Sequence, residues 1–226
     1  MNLAYNNDPK VKQKYVNRMI AHRKADEVIQ GEGFNNGRGC AIGCTLDKYD
    51  HNAWAIEICG DDGGEHVELG RLVDGIFESL PKDKAPQFAQ DVLEAIPHGA
   101  DLSLVTTEFK LWLLKDKEHG VYKYADSQGK KAINQVAGLL RRKIAGVKVR
   151  QKSWVAARVA ARTADEDTAE DATWDAASAA ASAAAGVTVG HTAGDGATFF
   201  YAARDAQATK LLELLKNAPV KQAEEL

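Results

Sequence analysis

The chain is predicted to be all-α: a multi-helix bundle with an alanine-rich helical part toward its C-terminal end. Three observations carry this. Apolar residues recur at helical spacing in several separate segments. No set of strand-like runs reaches the regular spacing of a sheet protein. Within 156–185, fifteen of thirty residues are alanine, the strongest helix former.

The elements follow in order. Asp8-Pro9 suits a helix opening, with Asp as N-cap and Pro in the first turn. Val11, Tyr15 and Met19 continue the pattern, and the helix is expected to run to Gln30 with Gly31 as its stop. Residues 40–46 fit a short helix after a glycine-rich loop. Asp61-Asp62-Gly63-Gly64 marks a further loop. Val67, Leu69, Leu72, Val73, Ile76, Phe77 and Leu80 define an amphipathic helix closed by Pro81. Residues 85–96 give another, closed by Pro97. Asp101 is expected to cap a fourth, carrying Val105, Phe109 and Trp112. Residues 121–124 are the best strand-like piece, and a helix with Ile133, Val136, Leu139 and Leu140 opens at Asp126 or Ser127. The alanine-rich helix ends at Gly186, and Gly190, Gly194 and Gly196 mark a loop. A final helix stops before Pro219, with a frayed tail over 220–226. Two parts are expected: 1–120 with the glycine–cysteine motif, and 121–226, alanine-rich and packed on it as one compact unit.

Composition bounds the function. Apolar residues make up 45% and charged residues 27%, which is ordinary for a globular protein. The formal net charge of −3 supplies no general attraction for nucleic acid or anionic membrane, so neither is expected as a partner. No apolar run is long enough to span a bilayer. The polar first residues lack a secretory h-region, and three cysteines form no disulfide framework. A cytoplasmic setting is the expectation.

The run Gly37-Arg38-Gly39-Cys40-Ala41-Ile42-Gly43-Cys44 concentrates the chemistry. Glycines let a backbone approach closely, and a helix start offers free N–H groups to an anion. Arg38 adds a cation. On this reading Gly37, Arg38, Gly39, Cys40 and Gly43 hold a phosphate or carboxylate. The competing reading is packing: Gly39 and Gly43, four apart, make a smooth helix face. No βαβ unit surrounds the glycines, so a dinucleotide fold is rejected. Cys40, Cys44, His51, Cys59 and His66 are zinc-type ligands within one region, but they lack paired Cys-x-x-Cys spacing, and buried free cysteine is the plainer account. Asp50-His51 suits a base and its orienter only in a turn, and helix capping by Asp50 is the simpler role. No nucleophile elbow, His-Glu-x-x-His or Walker A motif is present. No catalytic residue, metal ligand or cofactor is therefore assigned. The acidic run from Asp165 to Asp175 reads as a solvated helix face, with i,i+4 partners at Arg158 and Arg162.

Several segments together carry a resemblance. They are Asn2-Leu3-Ala4-Tyr5-Asn6-Asn7-Asp8-Pro9, Gly39-Cys40-Ala41-Ile42-Gly43-Cys44-Thr45-Leu46 with Tyr49-Asp50-His51, Leu69-Gly70-Arg71-Leu72-Val73-Asp74-Gly75-Ile76-Phe77-Glu78, Glu94-Ala95-Ile96-Pro97-His98-Gly99-Ala100-Asp101-Leu102-Ser103-Leu104, and Lys210-Leu211-Leu212-Glu213-Leu214-Leu215. The chain resembles a family of uncharacterised bacterial and bacteriophage proteins with the same order of motif, helices and alanine-rich tail. It departs from that pattern over 55–66. The resemblance implies a setting, action against host defence, rather than a chemistry.

The expected function is a cytoplasmic binding protein for a small anionic, nucleotide-like ligand, in the phage setting a sponge for a host immune signalling nucleotide. Arg38 and His51 are the named contacts, with Arg71 for phosphate and Trp112 for a base as further candidates. Two rivals stand beside it. One is a metal-dependent hydrolase using the Cys/His group with Asp50 or Asp74. The other is a protein-binding or self-assembling helical module, whose small-residue faces suit a homodimer.

Overall fold

The computed structural model describes residues 3–61, 63–125, 127–161 and 196–221. The described residues are mostly helical, with 68% helix and 4% strand. The chain divides into two compact units, Met1–Thr106 with Arg204–Leu226, and Thr107–Ala203. The alanine-rich stretch beyond Ala161, its acidic run and the loop at Gly186 lie outside the described residues.

The first unit begins with a left-handed turn. Tyr5, Asn6 and Asn7 all have positive φ, a conformation that side chains other than glycine seldom adopt. Burial holds it: Tyr5 is fully enclosed, and its hydroxyl donates to the Leu93 carbonyl at 2.7 Å. Asp8 then caps α1 (Pro9–Lys24) by accepting from the Lys10 N–H. This helix ends six residues before the expected stop at Gln30. Asp26 turns left-handed at φ 58°, and Val28 pairs alongside Gly39. Gln30 instead donates its side-chain amide to the Phe77 and Leu80 carbonyls. Those carbonyls close α4 (Gly64–Ser79), so Gln30 serves another helix as a C-cap.

A hairpin of β1 (Phe34–Asn35) and β2 (Arg38–Gly39) follows. Its two-residue loop is Asn36-Gly37, with φ of 49° and 81°. Positive φ at both positions is what a tight hairpin turn requires. Next come α2 (Ala41–Leu46) and α3 (His51–Trp54), which runs on into a π-type turn over Ala55–Cys59. Then α4 and α5 (Ala85–Ala95) close the core, with α1 packed on α5 and α2 packed on α4. Leu69, Leu72, Val73, Ile76 and Phe77 all turn inward, as their spacing predicts.

The C-terminal segment completes this unit. Part of α9 (Gly196–Lys216) buries Ala208, Leu211 and Leu215. Residues 220 and 221 are docked rather than frayed: Val220 bridges Ala100, the Lys221 N–H donates to the Gly99 carbonyl, and the Lys221 ammonium meets Asp101 at 2.9 Å. The Ala4 N–H donates to Ala100 on the same loop.

The second unit contains most of α6 (Val105–Lys115), α7 (Ser127–Ile144) and α8 (Gln151–Ala161). Leu113, Leu114, Ile133, Val136, Leu140 and Ala157 form its apolar cluster. Val121–Tyr124, expected as the best strand candidate, is a 3-10 turn. Among the described residues no strand pairs with it, and Tyr122 packs against the cluster instead.

Candidate functional site

The informative residue is a carboxylate in an apolar place. Asp74 lies in the middle of α4, among Leu72, Val73, Ile76 and Phe77, and is about nine-tenths buried. Buried aspartate requires partners. Three groups supply them. Tyr49 donates its hydroxyl to Asp74 Oδ2 at 2.9 Å. His51 Nε2 stands 3.3 Å from the same oxygen. The Cys40 thiol is the third, with Sγ within 4.8 Å of a carboxylate oxygen of Asp74. One turn further along α4, Glu78 accepts from the Gly31 N–H at 2.8 Å. Cys40 Sγ and one carboxylate oxygen each of Asp74 and Glu78 lie within 4.8 Å of one another.

Local structure places each group. Cys40 precedes α2 as its N-cap residue, fixed by its own N–H donating to Glu32 and Gly33 carbonyls. Asp50 caps α3 by accepting from the Ala53 N–H, which sets His51 as the first residue of that helix. His51 therefore faces Asp74 rather than Asp50. Gly70, Asp74 and Glu78 are spaced by four on α4 and share one face. A Cβ at Gly70 would stand 3.1 Å from the Trp54 ring and 3.7 Å from His51, so the glycine lets α3 settle against α4. Tyr49 is 51% exposed while its hydroxyl reaches the buried Asp74. Its ring meets His51 edge-on at 5.0 Å.

The electrostatics follow from this packing. Burial favours neutral Asp74, but the nearby His51, Cys40 and Tyr49 side chains outweigh it and hold its pKa below the usual carboxylate value. Burial raises the Cys40 thiol to about 12, aided by Asp74 and opposed by N–H groups of Gly43 and Ile42. Burial and the bond to Asp74 raise Tyr49 to about 12. Burial raises Glu78 too, the Gly31 N–H opposing it and the charge on Asp74 adding to it. At neutral pH, Asp74 is thus an anion beside a Cys40 thiol and a Tyr49 hydroxyl that keep their protons. Two buried atoms of this cluster find no hydrogen bond: Asp74 Oδ1 and His51 Nε2, whose approach to Oδ2 is close but poorly aligned.

The residues singled out from sequence fall into distinct places. Cys40 and His51 meet at Asp74. Gly39 and Gly43 receive the backbone of Gly33, whose carbonyl oxygen would stand 2.3 Å and 1.9 Å from a Cβ on each. Gly37 serves the hairpin turn. Arg38 is exposed on β2 and Arg71 is exposed on α4; neither makes an ion pair among the described residues. Trp112 belongs to the second unit, with Phe109 at 5.7 Å and His119 at 5.8 Å. Of the remaining sulfur and imidazole candidates, Cys44 donates to the Gly39 carbonyl, Cys59 is buried, and His66 stands 3.7 Å from Asp61. Sequence reasoning missed Glu78 and Tyr49, and it named Asp74 only as one option for a rival function. The available signal was an acid pair at i,i+4 on an otherwise apolar helix face.

An open cleft in the first unit is lined by Asp91, Glu94, Glu213 and Lys216. Its acidic lining suits an anion poorly.

The chain matches no family model, no curated protein and no solved structure. The geometry of the Asp74 cluster therefore carries the functional argument alone. No helix among the described residues is long and apolar enough to cross a membrane.

Proposed function

We propose that the Asp74 cluster binds a divalent transition metal of the zinc type, and that this metal anchors a small anionic ligand. Cys40, Asp74 and Glu78 would ligate it, with His51 beside Asp74 as a nitrogen donor. One observation supports this above the others: three donor groups converge within 4.8 Å, and the buried oxygen Asp74 Oδ1 has no hydrogen-bond partner. Ligand atoms around tetrahedral zinc stand roughly 3.3–3.8 Å apart, given bonds of about 2.0–2.3 Å. Closing that difference asks for a small rotation, and Glu78 is exposed enough to make it. Thiolate, carboxylate and imidazole together suit zinc better than magnesium or calcium.

A metal also resolves a conflict in the anion reading. Without it, Asp74 and Glu78 repel a phosphate from the neighbourhood of His51. With it, zinc offsets two of the three negative charges of Cys40, Asp74 and Glu78 and offers the metal itself as the point of attachment for a ligand oxygen. Arg38, exposed nearby in sequence on β2, would supply a second cation. A cytoplasmic protein that holds a nucleotide-like ligand in this way would act by sequestration, the role suggested by the phage-family resemblance.

The test is native mass spectrometry of the protein after zinc addition, then with a pool of nucleotides and cyclic nucleotides. The expected result is one zinc per chain, lost in Asp74→Asn, and a nucleotide retained only by the zinc form. Absence of stoichiometric zinc, or equal zinc retention by Asp74→Asn, defeats the proposal. Release of a cleaved nucleotide would move the function to the hydrolase reading.

A further inference from the structure

The formal charge of −3 hides an uneven distribution. Between 127 and 161 stand nine Lys or Arg and no Asp or Glu. This stretch forms α7, a six-residue turn and α8, packed on each other within the second unit. Its apolar side chains Ile133, Val136, Leu139, Leu140 and Ala157 enter the core. Lys131, Arg141, Arg142, Lys148, Arg150 and Lys152 are exposed, and none makes an ion pair among the described residues.

The turn is a built feature. Gly146 takes φ 73°, its N–H donates to the Lys143 carbonyl, and the Val147 N–H donates to Arg142. That pattern closes α7 and leads directly into the start of α8. Two features then stand unexplained by the fold itself. Lys148, Arg150 and Lys152 gather at the N-terminal end of α8, and no acidic residue occupies its first turn. This is the positive end of a helix, where added cations are unfavourable until an anion joins them. The second feature is Gly138, mid-helix in α7 on the same stripe as Lys131, Gln135 and Arg142. A Cβ there would meet nothing within 4 Å, so packing among the described residues does not call for glycine. A missing side chain on that stripe lets a rod-like partner approach the helix backbone.

We propose that the α7–turn–α8 face binds the phosphate backbone of a nucleic acid. On α7 the exposed cations stand toward its two ends, Lys131 roughly 15–17 Å along the axis from Arg141 and Arg142 at 1.5 Å per residue. Phosphates spaced along one backbone can meet both ends. The exposed large apolar residues here are Val147 and Val155, too few for the apolar face of a helix lying in a membrane surface. Contacts of this kind give affinity without reading sequence. The expectation against nucleic acid rested on net charge, which averages this face with an acidic remainder.

The experiment is fluorescence anisotropy of the full chain with labelled duplex DNA and labelled single-stranded RNA, in chelator, across about 50–200 mM salt. The chelator separates the outcome from the metal proposal. Binding is expected, with affinity falling linearly against salt on logarithmic axes. The triple variant Lys148→Glu, Arg150→Glu, Lys152→Glu should lose roughly tenfold or more in affinity at low salt and flatten the slope by about 2.7, three contacts at about 0.9 each. Circular dichroism checks its fold; Lys131→Gln with Arg142→Gln is the second variant, expected to flatten the slope by about 1.8. No binding to either nucleic acid at low salt overturns the proposal. So does an unchanged salt slope in folded variants, or binding to phosphatidylserine vesicles with both nucleic acids left free.

Discussion

The carbonyl oxygen of Gly33 lies where the side chain of residue 43 would begin, 1.9 Å from an ideal Cβ on Gly43. Both partners are backbone-constrained, so neither yields cheaply. Gly43→Ala should destabilise the protein by about 2 kcal/mol or more, as overpacking does. Gly75→Ala is the contrast, since a Cβ there meets nothing within 4 Å and the position is helical and exposed. It should stabilise by about 0.5–1 kcal/mol. Urea unfolding of the two variants measures both effects, and a neutral Gly43→Ala would remove the close-packing account of this motif.

Asp74 helps to keep the Cys40 thiol protonated. In Asp74→Asn the carboxylate charge is gone while burial remains, so the thiol pKa should fall from about 12 without reaching the value of a free cysteine. The pH profile of thiol alkylation, followed at Cys40 by peptide mass spectrometry in chelator, reports the shift. An unmoved profile would separate Cys40 from Asp74.

Zinc would displace that proton. Because the thiol is protonated at pH 7 and Asp74 is ionised, binding should release about one proton per metal. Calorimetric titration in buffers of different ionisation enthalpy counts it. Zinc uptake with no proton release would exclude Cys40 as a ligand.

Asp101 and Lys221 tie the C-terminal segment to unit 1. Burial raises the Asp101 pKa, but bonds from Ser103 and Lys221 outweigh this and hold it below the ordinary 3.8. The unfolded chain therefore takes up this proton first. The stabilisation is complete above about pH 4–5 and is lost as pH falls through the lower folded value. Asp101→Asn should flatten the stability–pH curve below about pH 4 relative to the parent. Urea midpoints at several pH values test this, and identical slopes would contradict it.

Periodicity made the long elements legible. The inward faces of α4, α5 and α7 follow from apolar spacing alone, because each helix buries one stripe. Elements set by distant partners were not legible. Nothing local marks the end of α1 at Lys24, which depends on pairing between Val28 and Gly39. Nor does local sequence tell a 3-10 turn from a strand at Val121–Tyr124, since a strand is defined by a neighbour. The hairpin is legible locally: Asn36-Gly37 carries the signal for a tight turn. At the site, Cys40 and His51 stood out as residue types. Their convergence on Asp74 did not, because it joins segments more than twenty residues apart.

The docking of residues 220 and 221 onto the loop at Gly99 has a consequence for synthesis. Unit 1 is built from two stretches of chain separated by the 97 residues of Thr107–Ala203. At about 5–20 residues per second, roughly 5–20 s pass between the emergence of its first stretch and its last. Through that interval the surface meant for Leu211 and Leu215 is bare on the ribosome. The nascent protein thus has a waiting period in which chaperone capture competes with completion, and stop codons introduced before Arg204 would make it permanent.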